Sequence, residues 1–153
     1  MIVFRIADRR RPGLDGVGAY LKGGRWNLPG RRVVYTADSY SLALLEVLVH
    51  ASRDAVPKNQ VVIKIEIPDE LALETLQPPY VSGWKSYEPV ASCSFGDAWL
   101  EEGRTAFLKV PSVVVQGRQW NVLLNPEHAD FAKILVTAPE EIEWDPRLLP
   151  GGF

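Results

Sequence analysis

Apolar and polar residues alternate from Ile2 to Ile6, with Ile2, Phe4 and Ile6 on one face and Val3 and Arg5 on the other, and this period of two predicts a first β-strand. Val61 to Ile67 alternates in the same way, Val61, Ile63, Ile65 and Ile67 against Val62, Lys64 and Glu66, so a half-buried strand is expected there, stopped by Pro68. Val33 to Ala37 reads as a short strand feeding directly into a helix from Ser39 to Val49, with Asp38 or Ser39 as its cap and Pro57 past its end. A short helix is expected from Asp69 to Leu76, and Gly96-Asp97 opens another that carries Trp99 and Leu100 and stops at Gly103. Thr105 to Val110 and Val113 to Val115 read as strand pieces separated by Pro111-Ser112, a bulge, bend or edge that re-aims Ser112. Residues 121 to 128 read as a polar loop, with strands expected at Ala132 to Val136 and Glu141 to Trp144. The irregular mixture of strands and helices predicts an α+β fold, one domain over residues 1–153, with mainly antiparallel sheets and flanking helices.

Two segments depart from periodicity. Residues 7 to 32 hold six glycines and two prolines without a sustained period, which reads as a long irregular segment, and such segments in compact domains usually carry function. Within it, Gly16-x-Gly18 lacks the preceding strand and following helix that a dinucleotide-binding fingerprint requires, which disfavours a Rossmann dehydrogenase. The helix from Ser39 to Val49 is the second. If Leu42, Leu45 and Val49 form its core-facing stripe, Glu46 lies on the same side, and the helix carries almost no other charge. A glutamate there either sits on a solvated edge or faces a cleft, held by a cation or donors, for which the glycine-rich loop with Arg25 is the expected supplier. Arg5, on the second face of its strand, is a further candidate for a cleft.

Composition narrows the function classes. At 153 residues the chain is the size of one domain with a real core, and its apolar (46%) and charged (24%) fractions are ordinary. No apolar run approaches the roughly 20 residues of a membrane span, and the N-terminus does not read as a secretory signal, so a cytoplasmic protein without membrane contact is expected. A net charge of −2 and a longest basic run of Arg9-Arg10-Arg11 argue against direct nucleic-acid binding. Cys93 is the single cysteine, which excludes an internal disulfide and a cysteine-based zinc cluster; it reads as a packing residue rather than a thiol activated by His50 or His128. His50 reads as a favourable helix C-terminal group and His128 as a turn or helix-start residue. No metal site is expected.

Gly-Gly-Arg-Trp-Asn at 23–27, Tyr35, Leu-Leu-Glu at 44–46, Gly-Asp-Ala-Trp at 96–99, Val-Pro-Ser at 110–112, Asn-Pro-Glu-His at 125–128 and Asp-Pro-Arg-Leu at 145–148 together resemble the RES domain family, named for an Arg, a Glu and a Ser. The resemblance runs in order over nearly the whole chain. It implies a fold similar to ADP-ribosyltransferase toxins and the toxin half of a bacterial pair with an Xre-type helix-turn-helix antitoxin. It also implies that NAD is consumed as a substrate, with no cofactor. By position the family's Arg, Glu and Ser fall on Arg25, Glu46 and Ser112, with Tyr35 and Asn121 as pocket residues, while Gln119 stands where a Glu is more usual. Five tryptophans and apolar loops leave room for a homodimer within a toxin–antitoxin complex.

The chemistry of these residue types agrees with that resemblance. Cleaving the nicotinamide–ribose bond develops positive charge on the sugar, which a fixed carboxylate stabilises, and nicotinamide leaves neutral, so one carboxylate suffices. Glu46 is the expected stabiliser. The five-donor fork of Arg25 suits a pyrophosphate or the orientation of Glu46, and the amides of Gly23 and Gly24 are expected to approach phosphate. Tyr35 offers a ring to nicotinamide, and Ser112 a hydroxyl to its amide or the ribose. The competing class is a catalytically silent nucleotide- or partner-binding module.

Overall fold

A computed structural model describes residues 1–51 and 58–148; Pro57 lies outside the described residues. Eight strands form one sheet in the order β4-β5-β6-β2-β1-β3-β7, with β8 also paired to β3. The strands are β1 (Ile2–Asp8), β2 (Val34–Ala37), β3 (Gln60–Glu66), β4 (Leu73–Thr75), β5 (Phe107–Pro111), β6 (Trp120–Leu124), β7 (Leu135–Val136) and β8 (Glu140–Glu141). The helices are α1 (Val17–Lys22), α2 (Tyr40–His50) and α3 (Val90–Glu102), with 3₁₀ turns at Ala129–Lys133 and Pro146–Leu148. All described pairings are antiparallel except β4 with β5. The predicted α+β class with a mainly antiparallel arrangement is what the chain adopts, in one mixed sheet.

Both faces of the sheet are covered, which explains the strand patterns. Val3, Val34, Ile63, Ile65, Val122 and Leu124 pack one core, while Trp26, Trp99, Leu108, Val110 and Leu123 pack another beneath α3. Ala37, Leu42 and Ala43 form a third cluster, with Phe4 and Ile6 against it, so the two faces of β1 serve two different cores. β1 meets β2 only where Phe4 faces Ala37. Beyond that point the Arg5 guanidinium crosses to the Tyr35 carbonyl, donating through Nη1 at 3.3 Å.

Several elements differ from expectation. The irregular stretch 7–32 contains α1, begun by Gly16 in the left-handed conformation, so a helix does follow that glycine. Residues 69–76 hold the strand β4 rather than a helix, because Leu73 to Thr75 gains a full parallel ladder against β5. α3 starts at Val90, ahead of the predicted Gly96-Asp97, and ends at Gly103 as expected, with φ +58 there. Val113 to Val115 is a turn, and Asn121 to Leu124 is not a loop but part of β6, paired to both β2 and β5 and buried from Val122 on. The strand expected over Ala132 to Val136 is reduced to Leu135–Val136 by the preceding 3₁₀ turn, and that at Glu141 to Trp144 falls at Glu140–Glu141.

α2 matters most for the site. Its cap is Ser39, whose Oγ accepts from the Leu42 amide at 3.2 Å and also from Gln119 Nε2 at 3.2 Å. The helix buries Leu42 and Ala43, whereas Leu45 and Val49 are 39% and 56% exposed, so the expected stripe is rotated. Nearly every residue from Leu42 to Val49 is apolar, so the pattern holds no information on rotation; packing of Leu42 and Ala43 on β1 and β2 sets it. Ser39→Ala removes the acceptor for the Leu42 amide in the first turn of the helix and is expected to cost about 1 kcal/mol. Urea unfolding checks this, and an unshifted midpoint would show that the cap contributes nothing.

Candidate active site

The loop after α1 is held by its own backbone and by Tyr35. Gly23 has φ +70 and gives its amide to the Ala19 carbonyl at 2.8 Å, and the Gly24 amide is spent on the Asn27 carbonyl at 2.9 Å. The expected phosphate cradle of these two amides is therefore absent: both donors close the loop instead. Asn27 is buried, and its Nδ2 donates to the carbonyls of Ala19, Leu28 and Arg31. The Tyr35 hydroxyl donates to Asn27 Oδ1 at 2.7 Å and accepts from the Trp26 amide at 3.0 Å. A Cβ on Gly24 would fall 2.5 Å from that hydroxyl oxygen, so glycine is required by the approach of Tyr35. Burial pushes the Tyr35 phenol up from its ordinary value, which keeps it neutral. Its hydroxyl is a fastener of the loop, and only its ring is left for a ligand.

α3 clamps the same loop from outside. Cys93 donates its thiol to the carbonyls of Gly24 and Arg25 at 3.3 and 3.4 Å, and Asp97 Oδ1 accepts from the Leu28 amide at 3.2 Å. Desolvation pushes the Cys93 thiol up, the direction of an inert packing thiol rather than a nucleophile. Gly96 lies against the Trp26 carbonyl. The Gly-Asp-Ala-Trp motif is thus a set of contacts to the site loop, completed by the buried Trp99.

Glu46 is held from the other direction. Ser112 Oγ donates to Glu46 Oε1 at 2.8 Å and Asn121 Nδ2 to the same oxygen at 2.7 Å. Both donors thus fall on one carboxylate oxygen, and among the described residues none bonds the other. Ser112 is fixed because its amide donates to the Gln119 carbonyl and its carbonyl accepts from the Gly117 amide, a tight turn directly after β5. Asn121 sits in β6, opposite Ala37 of β2 and Val110 of β5. Gln119, the departure from the family pattern, braces the α2 cap through Ser39 and so positions the helix bearing Glu46.

A cavity of about 1290 Å³ is lined by Arg5, Gly23, Gly24, Arg25, Tyr35, Glu46 and Asn121, with Ser112 reaching its carboxylate. All the candidate residues are therefore brought together. Arg25 does not orient Glu46. Its Nη1 instead donates to the carbonyls of Trp84 and Ser86, each at 2.9 Å, tying the glycine loop to the segment before α3. That segment, which supplies Tyr87 and Pro89 to the wall, carries no periodic signal and was not legible as part of a site. Arg5 is largely buried and its pKa is lowered by desolvation, with Nε lacking any partner among the described residues. His50 closes α2 and lines the cavity, while His128 caps a 3₁₀ turn by accepting from the Asp130 amide.

The family model of the RES domain matches residues 2–145. The chain belongs to the RES domain family. Among RES relatives, a Sphingobium protein named Prs ADP-ribosylating toxin is 40% identical over 141 residues, covering 89% of this chain and 86% of that protein. A protein named Toxin Res from Yersinia enterocolitica is 36% identical over 152 residues, covering 97% of this chain and 99% of the relative. A chain in the crystal structure of the M. tuberculosis MbcT-MbcA toxin–antitoxin complex superposes with a TM-score of 0.74 at 19% identity, over 92% of this chain and 83% of that one. That likeness shows a shared fold, independently of the motifs.

Proposed function

We propose that this chain, with residues 1–153 forming a single RES domain, is the toxin of a type II toxin–antitoxin pair that cleaves the nicotinamide–ribose bond of NAD. The observation that carries the reading is the carboxylate of Glu46, braced at Oε1 by Ser112 and Asn121 and facing a cavity that also holds Arg25 and Tyr35. Two donors on one oxygen fix the side chain and leave Oε2 to meet the ribose as it gains oxocarbenium character. Nicotinamide leaves as a neutral ring carrying the bonding electron pair, so no second carboxyl is needed as an acid. Ser112 and Asn121 act here as positioning residues. Arg25, whose Nη1 is anchored on two carbonyls, keeps its remaining N–H groups for the dinucleotide's phosphates. Arg5 and the ring of Tyr35 complete the substrate wall, with Gly23 and Gly24 shaping it.

The acceptor of ADP-ribose divides this reading. The name of the Sphingobium relative favours transfer to a protein, whereas water or phosphate would make the enzyme a glycohydrolase or phosphorolase. Incubating the pure protein with adenylate-labelled NAD, with and without phosphate and bacterial lysate, separates the three: label on protein, as free ADP-ribose, or as its 1-phosphate. Nicotinamide release in none of these mixtures would leave the silent binding module as the correct reading.

An Xre-type antitoxin is the proposed partner, in the cytoplasm, covering the cavity mouth. The names of the Yersinia relative and of the MbcT-MbcA complex support a paired toxin. No described helix is long and apolar enough to cross a membrane. Expression of the chain alone is expected to halt bacterial growth as NAD falls, and co-expression of an Xre-type antitoxin to restore both; growth arrest at level NAD would refute the mechanism.

Arg25→Lys keeps the charge but loses the planar fork that grips two carbonyls and still presents donors to phosphate. NAD consumption is expected to fall at least about tenfold, mainly through KM. Kinetics within twofold of wild type would reduce Arg25 to a loop contact.

A further inference from the structure

Four aromatic side chains line the cavity, Phe4, Trp26, Tyr35 and Tyr87, and three are committed elsewhere. Trp26 is 2% exposed and meets Phe95 edge-on. Tyr35 is fastened through its hydroxyl, and Phe4 packs under α2 against Ala37 and Leu42, tilted to Tyr40. Tyr87 is the exception: it is 98% exposed, with its ring free to solvent on the wall of the cavity. Its backbone is nevertheless held. Arg25 grips the carbonyl of the preceding residue, Ser86, and that of Trp84, while Pro89, two residues on, is the N-cap of α3.

We infer that Tyr87 is the base-stacking platform of this site and takes the purine of the substrate's adenylate half; the inference rests on the NAD reading above. An aromatic ring left in water at the edge of a cavity gains most by covering one face with another flat π-system, and every base offers one. The residue beside it is bound by the very guanidinium assigned to the phosphates. Diphosphate at Arg25 and base at Tyr87 are thus one hydrogen bond and one residue apart, a separation suited to the ribose that joins them in a nucleotide. The ring, 98% exposed, also needs no rearrangement of the core to accept its ligand.

Tyr87 is exposed, so its substitution leaves the fold intact, and binding reads the role directly. Calorimetric titration of the full chain with ADP-ribose and with nicotinamide mononucleotide, which lacks the adenylate, is the test. Tyr87→Ala is expected to weaken ADP-ribose about tenfold or more while nicotinamide mononucleotide stays within twofold, and Tyr87→Phe and Tyr87→Trp are expected to bind as wild type. Unchanged ADP-ribose affinity in Tyr87→Ala, equal losses for both ligands, or loss of antitoxin binding alone would overturn the assignment, the last giving the ring to the partner instead. Wild-type NAD turnover measured alongside keeps the two readings apart. Turnover with an unchanged KM in Tyr87→Ala would sink the platform and spare the NAD reading, whereas absent turnover would sink the NAD reading itself.

Discussion

Glu46→Gln is expected to lower NAD consumption by at least about a hundredfold while leaving the fold and NAD affinity close to wild type. The substitution keeps the shape of the side chain, and a glutamine carbonyl at the Oε1 position still accepts from Ser112 and Asn121, so the bracing survives. What is lost is the negative charge at the second oxygen. A neutral amide there stabilises the developing sugar cation far less, and the missing interaction is one made chiefly in the transition state, so kcat falls and KM does not. Single-turnover measurement of nicotinamide release, with circular dichroism as the control for folding, checks this. Turnover within a few-fold of wild type would remove Glu46 from the chemistry and leave it a half-buried carboxylate satisfied by two donors.

How far the site was legible in the sequence depends on which contacts make it. Glu46 stood out because a lone charge in an otherwise apolar helix must be compensated, and the structure does compensate it. The compensating groups are not those the local sequence suggests, because Ser112 and Asn121 lie far along the chain and only the sheet brings β5 and β6 beside α2. The two glycines before Arg25 point to a site residue, but its partners within the protein are main-chain carbonyls in a segment without periodicity, which no pattern in the sequence announces. Gly23 and Gly24 looked like a phosphate cradle. Their amides are spent within the loop, and the glycines answer to the left-handed turn at Gly23 and to the Tyr35 hydroxyl at Gly24. In the fold, the strands with clean alternation were found, whereas β4 was missed because its stability comes from β5 and not from its own three residues. The start of α3 was missed because Pro89 offers no side-chain cap.

Gly96→Ala is expected to damage both stability and activity, although alanine is the better helix former by up to about 1 kcal/mol. Gly96 lies inside α3, and a Cβ there would sit 1.8 Å from the Trp26 carbonyl oxygen and 2.8 Å from its carbon. Backbone cannot swing aside as a flexible side chain would. Either α3 or the glycine loop must retreat, and retreat strains the bonds that join them, from Cys93 to the Gly24 and Arg25 carbonyls and from the Leu28 amide to Asp97. Overpacking of this kind costs about 1–3 kcal/mol or more, enough to override the gain in propensity. Arg25 moves with the loop, so NAD consumption is expected to fall at least about tenfold even where the protein remains folded, because a displacement of about an ångström at a positioning group costs that much or more. Gly18→Ala is the matched control: Gly18 also lies in a helix, yet a Cβ there meets nothing within 4 Å, so it is expected to be neutral or slightly stabilising with full activity. Urea midpoints and NAD turnover for the two variants decide the matter. Equal behaviour of Gly96→Ala and Gly18→Ala would show that α3 does not hold the loop in place, and the clamp on Arg25 would have to be sought in the carbonyls of Trp84 and Ser86 alone.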